Sequence, residues 1–114
     1  MRVFAISDLH VDYKENQTWV AQLSDRDFCD DVLILAGDVS NHTERMTETL
    51  GTLRRKFARV FFLPGNHDLW VRPDSQSNSL EKFYGLMDLC KQLGVETEVA
   101  LVAGVQIVPC LIID

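Results

Sequence analysis

Three short polar segments hold most of the residues that could do chemistry: Ser7-Asp8-Leu9-His10, Gly37-Asp38-Val39-Ser40-Asn41 and Gly65-Asn66-His67-Asp68. Asp8 and Asp38 offer carboxylate oxygens, Asn66 an amide oxygen, His10 and His67 imidazole nitrogens. Such donors form a mixed hard and borderline ligand set, suited to Mn, Fe, Zn, Ni or Co more than to a thiolate zinc site. Carboxylates gathered in one place repel each other unless a cation lies between them. Each segment alone has an ordinary reading. Asp8 could cap the next stretch of chain, Gly37-Asp38 could be a turn with an N-cap, and Asn66 could take a left-handed turn position. Turn chemistry does not explain why all three carry metal-type donors.

The elements that must position them are legible. Each segment comes after a short apolar run: Val3 to Ile6, Val32 to Ala36 and Val60 to Leu63. Helical periodicity fills the intervals, which predicts an α/β fold with a mainly parallel sheet flanked by helices. A first helix is expected near Gln17 to Leu23, with Trp19, Val20 and Leu23 facing inward. In the second, Met46, Leu50, Leu53 and Phe57 form one stripe, and Asn41 with Glu44 resembles a capping box. The third spans Ser79 to Leu93, with Asn78 as N-cap, a stripe of Leu80, Phe83, Met87 and Cys90, and Gly94 at the C′ position. Val95 to Val102 and Val105 to Val108 read as a hairpin across Ala103-Gly104. In a parallel sheet the carboxyl ends of adjacent strands open on one crevice. Asp8, His10, Asp38, Asn66 and His67 should therefore converge there.

With 114 residues, 46% of them apolar, the chain is expected to form one domain. Its net charge of −6 argues against duplex nucleic acid and anionic membranes as partners. Three scattered cysteines, Cys29, Cys90 and Cys110, read as small buried thiols in a reducing compartment, and no signal-peptide core comes after Arg2, so a cytoplasmic location is expected. The basic run Arg54-Arg55-Lys56 reads as a solvated face, Trp19 as core and Trp70 as packing around the third loop. The chain stops within the apolar stretch Leu111-Ile112-Ile113-Asp114, which suggests that more protein would lie beyond it and that strands near Ile107 to Ile113 could self-associate.

Taken in order, Asp8-x-His10, Gly37-Asp38 and Gly65-Asn66-His67-Asp68 resemble the first three motif blocks of the calcineurin-like metallophosphoesterases. The resemblance spans essentially the whole chain, 1–114 as one phosphoesterase domain truncated at its C-terminus. It implies the N-terminal half of a β-sandwich with helical layers, and metal-dependent phosphoester hydrolysis with two divalent ions about 3.5–4 Å apart. By this likeness Asp8 and His10 would bind the first ion, Asp38 would bridge both and Asn66 would bind the second. His67 would act on the phosphate and leaving oxygen, with Asp68 orienting its ring, and a metal-bridging hydroxide would attack.

The family's later Gly-His and Gly-His-x-His blocks have no counterpart here. His42 remains, as a capping or substrate-facing residue. The second metal site is therefore incomplete, and the chain alone is expected to bind one ion weakly and turn nothing over. A small phosphoester, a nucleotide or a phosphoprotein are all admissible substrates. The alternative is a non-catalytic binding or scaffold module that keeps the fold. A Rossmann-type nucleotide binder ranks last, because no Gly-x-Gly-x-x-Gly comes after any strand.

Overall fold

The computed structural model describes residues 1–65, 67–69 and 78–110; Asn66, Trp70 and the His67 side chain lie outside what it describes. Its elements run β1 (Val3–Ile6), α1 (Lys14–Gln22), β2 (Val32–Leu35), α2 (Thr43–Lys56), β3 (Arg59–Phe62), a single 3-10 turn (His67–Leu69), α3 (Ser79–Leu93), β4 (Ala100–Val102) and β5 (Val105–Ile107). The first three strands form a parallel sheet in the order β1-β2-β3, and β4 pairs antiparallel with β5. Pairing is level across the sheet: Val3 opposes Val32 and Val32 opposes Arg59, while Ile6 opposes Leu35 and Leu35 opposes Phe62.

The pleat sorts the strand residues between two cores, because successive side chains point to opposite faces. Leu33, Leu35, Val60 and Phe62 join Met46, Leu50 and Leu53 of α2 under the helices, with Phe4 and Ile6 of β1 partly buried beside them. Val32 and Phe61 meet Val102 on the opposite face, with Ile34, Ala100 and Ile107 around them. The hairpin thus backs the sheet, as the first half of a sandwich should. Ala103 and Gly104 both adopt left-handed backbone at its turn, the pairing a tight two-residue hairpin requires. Between α3 and β4, Glu96 makes a parallel bridge to Phe61 and ion-pairs with Arg59.

Several sequence expectations need correction. Asn41 does not cap α2: the N-cap is His42, without a side-chain cap bond. Asn78 does cap α3, accepting from Glu81 N at 2.8 Å, and Gly94 closes that helix with φ 76°. On α3 the buried residues are Leu86 and Cys90, with Met87 packed partly buried against the same core, while Leu80 in the first turn is exposed. Trp19 is half exposed and lines an apolar cleft of 290 Å³ with Phe4, Ile6, Leu23, Phe28 and Phe57. Cys29 and Cys110 are exposed, and only Cys90 is buried.

Within the basic run Arg55 is exposed, as a solvated face would have it, but Lys56 is not. Lys56 is buried, and its Nζ donates to the carbonyls of Ala21 (3.0 Å) and Leu23 (2.6 Å), with Asp25 at 3.3 Å. It thereby satisfies orphan carbonyls at the end of α1 and complements that helix's dipole. Arg54 does similar work for Phe57 and Gly94, donating to both carbonyls.

Two glycines let the loops after β2 and β3 touch. Gly37 has φ +86°, and a Cβ there would lie 2.7 Å from the Gly65 nitrogen and 2.8 Å from its Cα. Gly37→Ala combines left-handed strain with a backbone clash, so urea denaturation should show a loss above about 2 kcal/mol. Lys56→Met keeps the stem and removes the donor; it should cost about 1–3 kcal/mol in the same assay. Burial pushes the Cys90 thiol up to about 12, so a thiol-reactive dye should label two cysteines in the folded chain and the third only on unfolding.

Candidate metal centre

The level ends of β1, β2 and β3 deliver their loops to one rim, and backbone hydrogen bonds join the first two loops. Asp8 N donates to Gly37 O (3.2 Å), His10 N to Asp38 O (3.0 Å) and Val11 N to Val39 O (2.8 Å). Asp8, His10 and Asp38 all take left-handed backbone, with φ of 55°, 44° and 56°. Non-glycine residues rarely do so, and such strain collects where a site needs an unusual side-chain direction. Asp tolerates this region better than most residues because its short polar side chain can bond locally.

The result is a contact among side chains from loops about thirty residues apart. The Asp8 carboxylate is 63% exposed and has His10 Nε2 at 3.4 Å. The Ser7 hydroxyl beside it does most to hold its carboxyl below the usual range; desolvation opposes this, and Asp38 and His10 add smaller lowering effects. Like charges gathered at one rim repel each other, and a cation between them relieves that repulsion. Among the described residues, no three His, Cys, Asp or Glu side chains are arranged to hold an ion as they stand. The donor chemistry of Asp8, His10 and Asp38 fits a divalent ion. Asn66, the remaining ligand expected from the sequence, lies outside the described residues, as does the side chain of His67.

The His67 ring that Asp68 is expected to orient lies outside the described residues, while Asp68 itself is fully buried and gathers backbone N–H groups from two loops. Its Oδ1 accepts from Val39 N (2.7 Å) and Ser40 N (3.0 Å), and its Oδ2 from Asp38 N (2.7 Å) and Gly65 N (2.8 Å). Burial pushes its carboxyl above the usual range, and the N–H groups of Gly65, Ser40, Val39 and Asp38 offset only part of that rise. Gly65 must lack a side chain here too: a Cβ would sit 2.5 Å from Asp38 Oδ1.

Sequence reasoning passed over Ser7 and Asp12. Asp12 accepts from Ser40 Oγ at 2.8 Å and from Arg45 Nη1 at 3.2 Å, with His42 Nε2 at 3.9 Å. His42 therefore belongs to a polar network that braces the loop after β2. The alternation Asp8, His10, Asp12 was the available signal. Lys82 of α3 adds a further tie, donating to Asn41 O at 2.7 Å.

Known proteins are similar to this chain in sequence and fold. The chain is 39% identical over 97 residues to the acyl-carrier-protein phosphodiesterase PptH of Mycobacterium tuberculosis, a stretch that is 83% of this chain and 30% of that protein. The crystal structure of phosphopantetheinyl hydrolase (PptH) from Mycobacterium tuberculosis superimposes with a TM-score of 0.84 at 32% identity, over 96% of this chain and 42% of that one. The chain thus spans less than half the length of the relatives it matches. The calcineurin-like phosphoesterase profile matches residues 1–109, and on that match, with the fold and the gathered loops behind it, the chain belongs to the calcineurin-like phosphoesterase family.

Proposed function

We propose that this chain carries the first half of a metal-dependent phosphodiesterase site. Asp8, His10 and Asp38 would hold one divalent transition-metal ion, Mn, Fe, Zn, Ni or Co, and Asp38 with Asn66 would begin a second site whose other ligands this chain lacks. When bound, such ions supply positive charge against phosphate oxygens and acidify the attacking water. The chain's own residues set where this happens. Asp8 and Asp38 fix the rim of the sheet as the place of reaction, and His67 is placed by sequence to donate a proton toward the leaving oxygen. The observation that carries this reading is the gathering of Asp8, His10 and Asp38 on one rim, with His10 Nε2 3.4 Å from the Asp8 carboxylate and backbone hydrogen bonds joining the loops that bear Asp8 and Asp38, in a chain of net charge −6.

The relatives named above support a phosphodiester as the substrate. An acyl-carrier-protein phosphodiesterase acts on such a bond, and we carry that class over to this chain: a phosphopantetheine arm on a carrier protein, which falls within the phosphoprotein class. The scaffold reading draws on one observation, that no three described donors form an ion-holding group.

Calorimetric titration separates the two. The chain should take up about one equivalent of Mn²⁺ weakly, and Asp38→Asn should weaken this more than tenfold; no uptake at all would favour the scaffold. For turnover, the chain can replace the corresponding N-terminal segment of the mycobacterial relative. That chimera should cleave bis(p-nitrophenyl) phosphate with Mn²⁺, and Asp38→Asn should lower the rate by about 100-fold or more, since even ligand-supporting residues cost 10–100-fold. Unchanged turnover in the variant would refute the role given to Asp38. The 114-residue chain by itself should show no measurable turnover.

A further inference from the structure

We propose that Asp68 is the positioning residue of the loop that carries Asp38, acting through the peptide backbone. This inference rests on the metal-site reading only for its functional consequence. Its structural content stands on the four hydrogen bonds.

A carboxylate offers about four lone-pair sites on its two oxygens, and Asp68 fills them with the N–H groups of Asp38, Val39, Ser40 and Gly65. Three of the donors are consecutive in the loop after β2; the fourth lies in the loop after β3. Consecutive N–H groups turned onto one anion form a nest, a backbone shape that an extended or helical loop cannot supply. The nest accompanies the left-handed φ of 56° at Asp38, whose backbone N–H is held by the buried anion while its carboxylate lies over Gly65. Gly65 completes the geometry, because its missing Cβ leaves the Asp38 carboxylate room. An anion held by four amide donors in a buried site is charge-assisted and directional, so the loop after β3 dictates the conformation of the loop after β2.

Asp68→Asn tests this. The substitution keeps size and burial but replaces one acceptor oxygen with an NH₂ group that faces two N–H donors. Amide exchange at Asp38, Val39, Ser40 and Gly65 should accelerate at least tenfold relative to the sheet amides of Leu35 and Val60. The dissociation constant for Mn²⁺ should rise ten- to a hundredfold, the range found for residues that support metal ligands. Val20→Ala, a core change elsewhere, serves as the control: it should lower Tm while the folded chain keeps its Mn²⁺ affinity. Wild-type exchange rates in Asp68→Asn, or an affinity loss no larger than that of the control, would overturn the proposal.

The unsubstituted chain gives a reading that survives if Asp68→Asn fails to fold. Scalar couplings across the hydrogen bonds should link the four amide nitrogens to Asp68 Cγ, and their absence would also overturn the proposal. Should the wild-type chain take up no Mn²⁺, the metal reading falls on its own, and the couplings and exchange rates decide the clamp independently.

Discussion

Parallel pairing without stagger governs this molecule. Because Ile6, Leu35 and Phe62 lie side by side at the ends of their strands, the chain leaves the sheet three times at one level, and the loops that leave the three strands must share the same rim. Strands that end together expose unpaired peptide groups there, and those groups need partners. The chain answers with loop-to-loop hydrogen bonds between the segments after β1 and β2, and with the Asp68 carboxylate between the segments after β2 and β3. Packing on both faces keeps the sheet in this register: a one-residue slip would send Leu33 and Leu35 to the hairpin side and Val32 and Ile34 to the helix side.

The rim combines strain with crowding. Gly37 and Gly65 approach backbone to backbone, three non-glycine residues take left-handed conformations, and two carboxyl side chains meet. Each feature is unfavourable in isolation, by about 1–3 kcal/mol for a strained backbone residue. They persist because the surrounding hydrogen bonds over-determine them. A fold selected for stability alone has no reason to gather acidic groups at this edge, whereas a cation-binding edge requires it.

Much of this was legible from residue types and spacing. β1, α3 with its Asn78 cap and Gly94 stop, and the Ala103-Gly104 turn are local features, decided within a few residues, and they stand where the pattern places them. The roles of Lys56, Trp19 and Asp68 were not legible. Lys56 looks like a surface lysine until α1 ends against it. Trp19 looks like core until β1 leaves one side of its neighbourhood open as a cleft. Asp68, beside a histidine in sequence, gives no sign there of the three peptide groups that reach it from a loop about thirty residues away.

The order of elements, the parallel sheet and the three donor-bearing segments were determined by the amino-acid sequence alone, because hydrophobic period, caps and turn residues act over short separations. Which side chains touch was decided only by the tertiary structure. A contact such as Asp8 with Asp38 depends on register, on the missing Cβ atoms of Gly37 and Gly65, and on a buried anion that bends the backbone. None of these is encoded at either residue, since each arises where distant stretches of chain are packed together.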